Sequence, residues 1–76
     1  MSKASYASLV TRPDIITEPG HYITRRGETV NITAASSKQD HGCVGFYPEG
    51  TPDRWHKSGR LYFTIQCEND IVRRAD

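Results

Sequence analysis

Long hydrophobic runs are missing from this sequence. No uninterrupted apolar stretch exceeds a few residues, far short of the ~20 that a membrane-spanning helix needs. The opening Met1-Ser2-Lys3-Ala4-Ser5-Tyr6 carries one Lys, but no hydrophobic stretch follows it. No secretory signal, no membrane contact and a cytoplasmic location are therefore expected. Helical periodicity is also missing: no segment of ten or more residues places apolar side chains at i, i+3, i+4 and i+7, which argues against amphipathic helices. Cysteine is scarce, with only Cys43 and Cys67, expected as reduced thiols rather than a disulfide. Net charge is nearly absent, with ten basic and nine acidic residues and a balance of +1. That excludes a strongly acidic mimic of duplex DNA and a basic architectural protein with a pI above about 9. Length is short as well. Seventy-six residues leave no room for a second domain, a doubly wound sheet or a barrel enzyme. Such a chain buries only about 60% of its unfolded surface, so self-association, a partner or a ligand is expected to add stability. No internal repeat or low-complexity tract is present.

What the chain does have is period-two alternation punctuated by turn formers. His21–Arg25 and Glu28–Thr33 read as two strands around the Arg26-Gly27 turn, with Val30 and Ile32 on one face and Thr29, Asn31 and Thr33 on the other. Cys43–Tyr47 reads as a third strand, with Gly45 marking a bulge or a close backbone approach. Pro48–Asp53 is a dense turn. Arg54–Lys57 is a fourth short strand, and Ser58-Gly59 closes a hairpin into Arg60–Gln66. That last segment has the cleanest pattern in the chain, with Leu61, Phe63 and Ile65 alternating with Tyr62, Thr64 and Gln66. Asp70–Val72 is a final short strand. The pattern predicts an all-β fold, a small antiparallel barrel or strongly curled sheet of five to six short strands and SH3-like size. Residues 1–18 are expected as an N-terminal arm or edge segment and 19–76 as the single β domain. The expected core is Ile23, Val30, Ile32, Val44, Phe46, Trp55, Leu61, Phe63, Ile65 and Val72.

His41, Cys43, His56 and Cys67 are donors that zinc accepts, but the His-x-Cys spacing fits no common knuckle, and the expectation is no metal and no cofactor. Asp40, His41 and Cys43 sit too close in sequence for a nucleophile–base–orienter geometry. No catalytic residue is assigned, and the chain is not expected to be an enzyme. Seven of the ten basic residues are Arg, whose planar fork favours recognition surfaces. Tyr47, Arg54, Trp55, His56 and Arg60 gather the residue types enriched at binding hot spots around the Pro48–Asp53 loop and the Ser58-Gly59 turn. They form the expected partner-binding surface. The alternative is single-strand nucleic-acid binding through Tyr22, Arg25, Arg26 and Tyr62, combining stacking rings with cations.

Three marks carry a resemblance. Gly20-His21-Tyr22-Ile23-Thr24-Arg25-Arg26-Gly27 follows a Gly-x-Tyr-x-Thr-Arg-x-Gly hairpin. Trp55 precedes the Gly59-Arg60 turn, and Asp70-Ile71-Val72 closes the pattern. Over about residues 19–74 the chain resembles a loose group of small β-rich accessory proteins encoded by bacteriophages and prophages. The resemblance implies a phage origin, action in the host cytoplasm and a host-directed role such as neutralising a defence or modulating host machinery. It assigns no functional residue. The leading expectation is a non-catalytic inhibitor that binds and occludes a host macromolecule, a host protein first. The nucleic-acid-binding barrel is the alternative. A third reading is an oligomer that sequesters a small anionic nucleotide between Arg residues, and a homo-oligomer is compatible with each.

Overall fold

The computed structural model describes residues 14–36, 38–62 and 64–75. Residues 1–13 of the expected arm and the expected core position Phe63 lie outside the described residues. The chain forms five strands: β1 (Gly20–Thr24), β2 (Thr29–Ala35), β3 (Cys43–Phe46), β4 (Pro52–Trp55) and β5 (Ile71–Arg74). They make one antiparallel sheet in the order β4-β3-β2-β1-β5. Among the described residues there is no helix, and so none long and apolar enough to cross a membrane.

Three turns build this sheet by the same device. In Thr24–Glu28, Tyr47–Thr51 and His56–Arg60 the fourth residue is a glycine with positive φ, at Gly27, Gly50 and Gly59. In each, the glycine N–H donates to the first residue's carbonyl, and the first residue's N–H donates to the fifth residue's carbonyl, at 2.8–2.9 Å. A left-handed glycine at that position lets a short loop reverse the chain with the twist that antiparallel strands require. Two bulges add curvature, at Thr33 in β2 and at Val72 in β5, where the register shifts by one residue.

The curl brings the two edge strands toward each other without pairing them. β4 and β5 share no ladder, but Ile71 N–H donates to Gly59 O (2.8 Å), and the Trp55 indole N–H donates to Asn69 O (2.9 Å). The structure is thus an open, curled five-stranded sheet. The remaining expected strand, Arg60–Gln66, is not formed at its described residues, 60–62 and 64–66.

The concave face holds the core: Ile16, Tyr22, Val30, Ile32, Cys43, Tyr47, Trp55 and Ile71. Trp55 is fully enclosed and stacks edge-on against Tyr47 at 5.5 Å. Burying an indole removes on the order of 200 Å² from water, worth about 5 kcal/mol as an upper estimate. Ile15 and Ile16 N–H both donate to Lys57 O (2.9 Å each), so residues 14–18 lie against the β domain rather than apart from it. Of the expected core, Val30, Ile32 and Trp55 are buried and Leu61 packs against the cluster. Ile23, Val44 and Val72 are half-buried, while Phe46 and Ile65 are exposed.

The inversion at β3 has a specific cause. Cys43-Val44-Gly45-Phe46-Tyr47 can present either Val44 and Phe46 or Cys43, Gly45 and Tyr47 to the core. Val30 and Ile32 fix the inward face of β2, and β3 pairs with β2 through Ile32↔Gly45. A Cβ at Gly45 would sit 2.7 Å from both Asn31 O and Ile32 Cδ1. Only glycine fits that inward position, and Phe46 is turned outward.

Candidate functional site

The expected partner-binding residues divide between the two faces of the sheet. Arg54 is exposed on β4, with Val44 as its cross-strand partner. Trp55, one residue on, faces inward and is wholly buried, so it belongs to the core and cannot touch a partner of the folded chain. Tyr47 is also buried, and its hydroxyl donates to Asp53 Oδ2 (2.5 Å). Burial and the Asp53 carboxylate together hold the Tyr47 phenol protonated well above its ordinary range. Arg60 has a largely enclosed side chain with Nε 3.3 Å from Asp70 Oδ2, and its guanidinium donates to Ile65 O (2.7 Å). It is a structural cation.

His56 is half-buried, and its Nδ1 accepts from Ser58 N–H (3.1 Å) and Ser58 Oγ–H (2.8 Å), which leaves the remaining proton on Nε2. Burial, then the neighbouring His41 and Lys57, lower its pKa from the ordinary 6.5, against the opposing pull of Asp40 and Asp14. The unfolded chain therefore binds more protons than the folded one just below the ordinary His pKa. Full stability is expected above about pH 6.5, with loss as the pH falls through that value toward the lower folded pKa. Urea midpoints taken at about pH 7.5 and 5.5 should show this decline, and His56→Asn, whose carbonyl can still accept from Ser58, should flatten it. An unchanged slope in the variant would assign the decline to other groups.

The alternative residues do not assemble into a stacking platform. Tyr22 is fully buried, its hydroxyl donates to Glu18 O (2.7 Å), and Arg74 lies over its ring at 5.3 Å. Arg25 is drawn to Asp70 (3.5 Å) and Cys67 O (3.2 Å). Arg26 and Tyr62 are exposed, so Tyr62 is the one ring of the pair that a base could reach. A cavity of about 240 Å³ lined by Ile16, Ser36, Cys43, Lys57 and Asp14 holds no arginine, and its one cation faces Asp14 at 3.9 Å. It is poorly matched to an anionic nucleotide. Cys43 at its wall is a free thiol whose pKa burial raises, the protonated and unreactive kind. Among the described residues no three His, Cys, Asp or Glu side chains gather as metal ligands.

The convex face of the sheet is what remains open. Phe46, Val44, Pro52 and Arg54 form its β3–β4 corner, with Phe46 set between Asn31 on β2 and Pro52 on β4. A shallow depression there is lined by Val44, Pro52, Asp53 and Arg54. The Asp53 carboxylate is already engaged by Tyr47 O–H and by Arg54 N–H (2.8 Å). Outward positions of the five strands carry Arg54 and Arg73 but no carboxylate. Sequence reasoning placed Phe46 and Val44 in the core and so missed this patch. The signal available was Gly45, whose alternation with them marks the tight inward side.

The fold and site define a small all-β protein with a curled five-stranded sheet, an aromatic core and one open face. No protein-family model matches the chain, and neither curated proteins nor solved structures include a match to it.

Proposed function

We propose that the chain is a non-catalytic binding protein, of the host-directed accessory kind that bacteriophages encode, which occludes a surface of a partner protein. The observation that carries the reading is the convex corner of Phe46, Val44, Pro52 and Arg54. Phe46 is a large apolar side chain left 39% exposed at this corner of the sheet face, with Arg54 on the neighbouring strand. An aromatic beside an Arg is the pairing that dominates interface energetics. Arg54, whose neighbour Asp53 is already engaged by Tyr47 O–H and Arg54 N–H, matches a partner surface bearing Asp or Glu. An open convex sheet face supports steric occlusion, which needs no bond-making chemistry. The phage origin belongs to this proposal. Nucleic-acid binding has weaker support, since Tyr22 is enclosed.

The test is affinity capture from bacterial lysate with and without nuclease, comparing wild type with Phe46→Ser/Arg54→Glu. The wild type should retain a nuclease-resistant protein. The double variant should weaken that capture by roughly 2 kcal/mol or more, about 30-fold in Kd, while keeping a cooperative urea transition, because neither side chain belongs to the buried core. Equal capture by the variant would reject the surface. Capture abolished by nuclease would transfer the function to nucleic acid.

A further inference from the structure

Among the described residues β4 is an edge of the sheet, and an edge strand ordinarily offers unpaired backbone donors to any strand that approaches. Ladder bonds along an antiparallel strand face its neighbour at every second residue. Tyr47 N–H donates to Thr51 O (2.9 Å), and the pairs Gly45↔Asp53 and Cys43↔Trp55 continue that phase. Pro52 and Arg54 therefore turn their backbone groups away from β3. Neither position offers an N–H to the edge. Pro52 has none, and the Arg54 N–H donates to Asp53 Oδ1 (2.8 Å). The other carboxylate oxygen, Oδ2, accepts from the Tyr47 hydroxyl (2.5 Å), so a buried side chain of the core holds this cap in place. On either side the chain is committed to its own turns. Gly50 N–H donates to Tyr47 O (2.9 Å) and His56 N–H to Arg60 O (2.9 Å).

We propose that Asp53 and Pro52 form a guard that keeps the β4 edge from pairing with a second copy of this chain. A two-fold axis sets a strand antiparallel to itself, and facing residues of such a pair share one side of the sheet. With the axis at Asp53, position 52 of each copy meets position 54 of the other, the two positions whose backbone groups face outward. An unguarded strand would form four main-chain bonds in that register. Here two are lost because Pro52 has no N–H, and the other two require the Arg54 N–H to leave Asp53. The axis also opposes the two Asp53 carboxylates, and like charges directly opposite are destabilising. With the axis at Arg54 the two guanidinium groups are opposed instead, and the Asp53 cap must again be broken. Proline and inward-pointing charge are known means of blunting an edge. Asp53 is such a charge, since it pairs with inward Gly45 and reaches the Tyr47 hydroxyl. The guard closes β4 to main-chain recognition and leaves docking to side chains. It does not rest on the convex-face reading, and Phe46 has no part in it.

The test compares the full wild-type chain with Pro52→Thr/Asp53→Thr by sedimentation equilibrium from low to high micromolar concentration. Pro52→Thr restores a donor, and Asp53→Thr removes the cap, because a hydroxyl is too short to bend back onto the next N–H. The variant's mass should rise from 8.6 kDa toward twice that value. Its half-dimer concentration should lie at least ~10-fold below the wild type's. Adding Arg54→Pro, which removes the N–H at an edge position that tolerates proline, should return the mass to that of the wild type. A cooperative urea transition in each variant separates pairing from unfolding. Hydrogen exchange reads the cap directly: at low concentration the Arg54 amide should be protected in the wild type and fast in Pro52→Thr/Asp53→Thr. A variant that associates no more than the wild type would overturn the proposal, as would association that survives Arg54→Pro. An Arg54 amide exchanging at the rate of an open amide in the wild type would overturn it too, whether or not the variants fold.

Discussion

Replacing Asp70 by Ala should leave the chain largely unfolded at room temperature. The Asp70 side chain is completely enclosed, and both carboxylate oxygens are committed. Oδ1 accepts from Leu61 N–H (2.9 Å) and Oδ2 from Cys67 N–H (3.0 Å). Oδ2 also lies 3.3 Å from Arg60 Nε and 3.5 Å from Arg25. Arg60 Nε is itself buried and has no well-aligned hydrogen-bond acceptor; what compensates it is the charge of Asp70. Removing the carboxylate strands two amide donors and one enclosed cation at once. Breaking a buried charge pair from one side costs about 3–5 kcal/mol, and a single core below 70–80 residues rarely supplies more than about 3–5 kcal/mol. The two quantities cancel. Arg60→Ala should cost less, because the carboxylate keeps its two amide donors. Arg25→Ala should cost least, since its guanidinium is 40% exposed and solvent screens that pair. Urea denaturation followed by circular dichroism gives the order. A cooperative transition for Asp70→Ala with stability within about 1 kcal/mol of wild type would refute this account.

The same carboxylate explains why the sequence misleads at one segment. Leu61–Gln66 alternates cleanly, but alternation reports only which side chains could share a face. It does not show that Asp70 bonds the amides at both ends of the segment and draws them together into a loop. Five of the expected strands are present within a few residues of their expected limits, because turn glycines and period-two patterns are local properties. Face assignment is not local wherever both phases of a strand carry strand formers. At β1 the choice lay between Ile23 and the pair Tyr22 and Thr24, and the pair is buried. Thr24 can be inside because its Oγ1 accepts from Glu28 N–H (3.0 Å), a satisfaction that hydropathy does not register. At β3 and β4 the outcome depends on Gly45 meeting Ile32 across the ladder. The expected binding group spans both faces for the same reason: Trp55 adjoins Arg54 on β4 but points the opposite way, into the core with Tyr47. Arg54 alone of the group is exposed, and it shares the outward face with Phe46.

Gly59→Ala should be among the most damaging single-methyl additions in the chain, and Gly50→Ala provides its control. The two glycines occupy the same place in equivalent turns, with φ of +90° and +101°. An Ala at either position meets the left-handed backbone penalty of roughly 1–2 kcal/mol. At Gly50 nothing lies within 4 Å of the added methyl, so the penalty ends there. At Gly59 the methyl would fall 2.0 Å from Ile71 O and 3.0 Å from Ile71 C. Those are backbone atoms of β5, held by the ladder with β1, and no rotamer change relieves the overlap. The Gly59 turn must retreat from Ile71, which breaks the Ile71 N–H to Gly59 O bond (2.8 Å). That bond helps hold β4 to β5 where the sheet curls, and the Trp55–Asn69 bond beside it would loosen with it. Losing a buried hydrogen bond and forcing a packed backbone apart adds about 2–4 kcal/mol to the turn penalty. Gly59→Ala should therefore sit at least 2 kcal/mol below Gly50→Ala on the urea scale, ~30-fold in the folding equilibrium. Trp55 fluorescence should shift to the red in Gly59→Ala alone as the indole gains water. Equal stability of the two variants would mean that the Gly59–Ile71 contact does not hold the curl, and that the sheet is closed by its aromatic core without it.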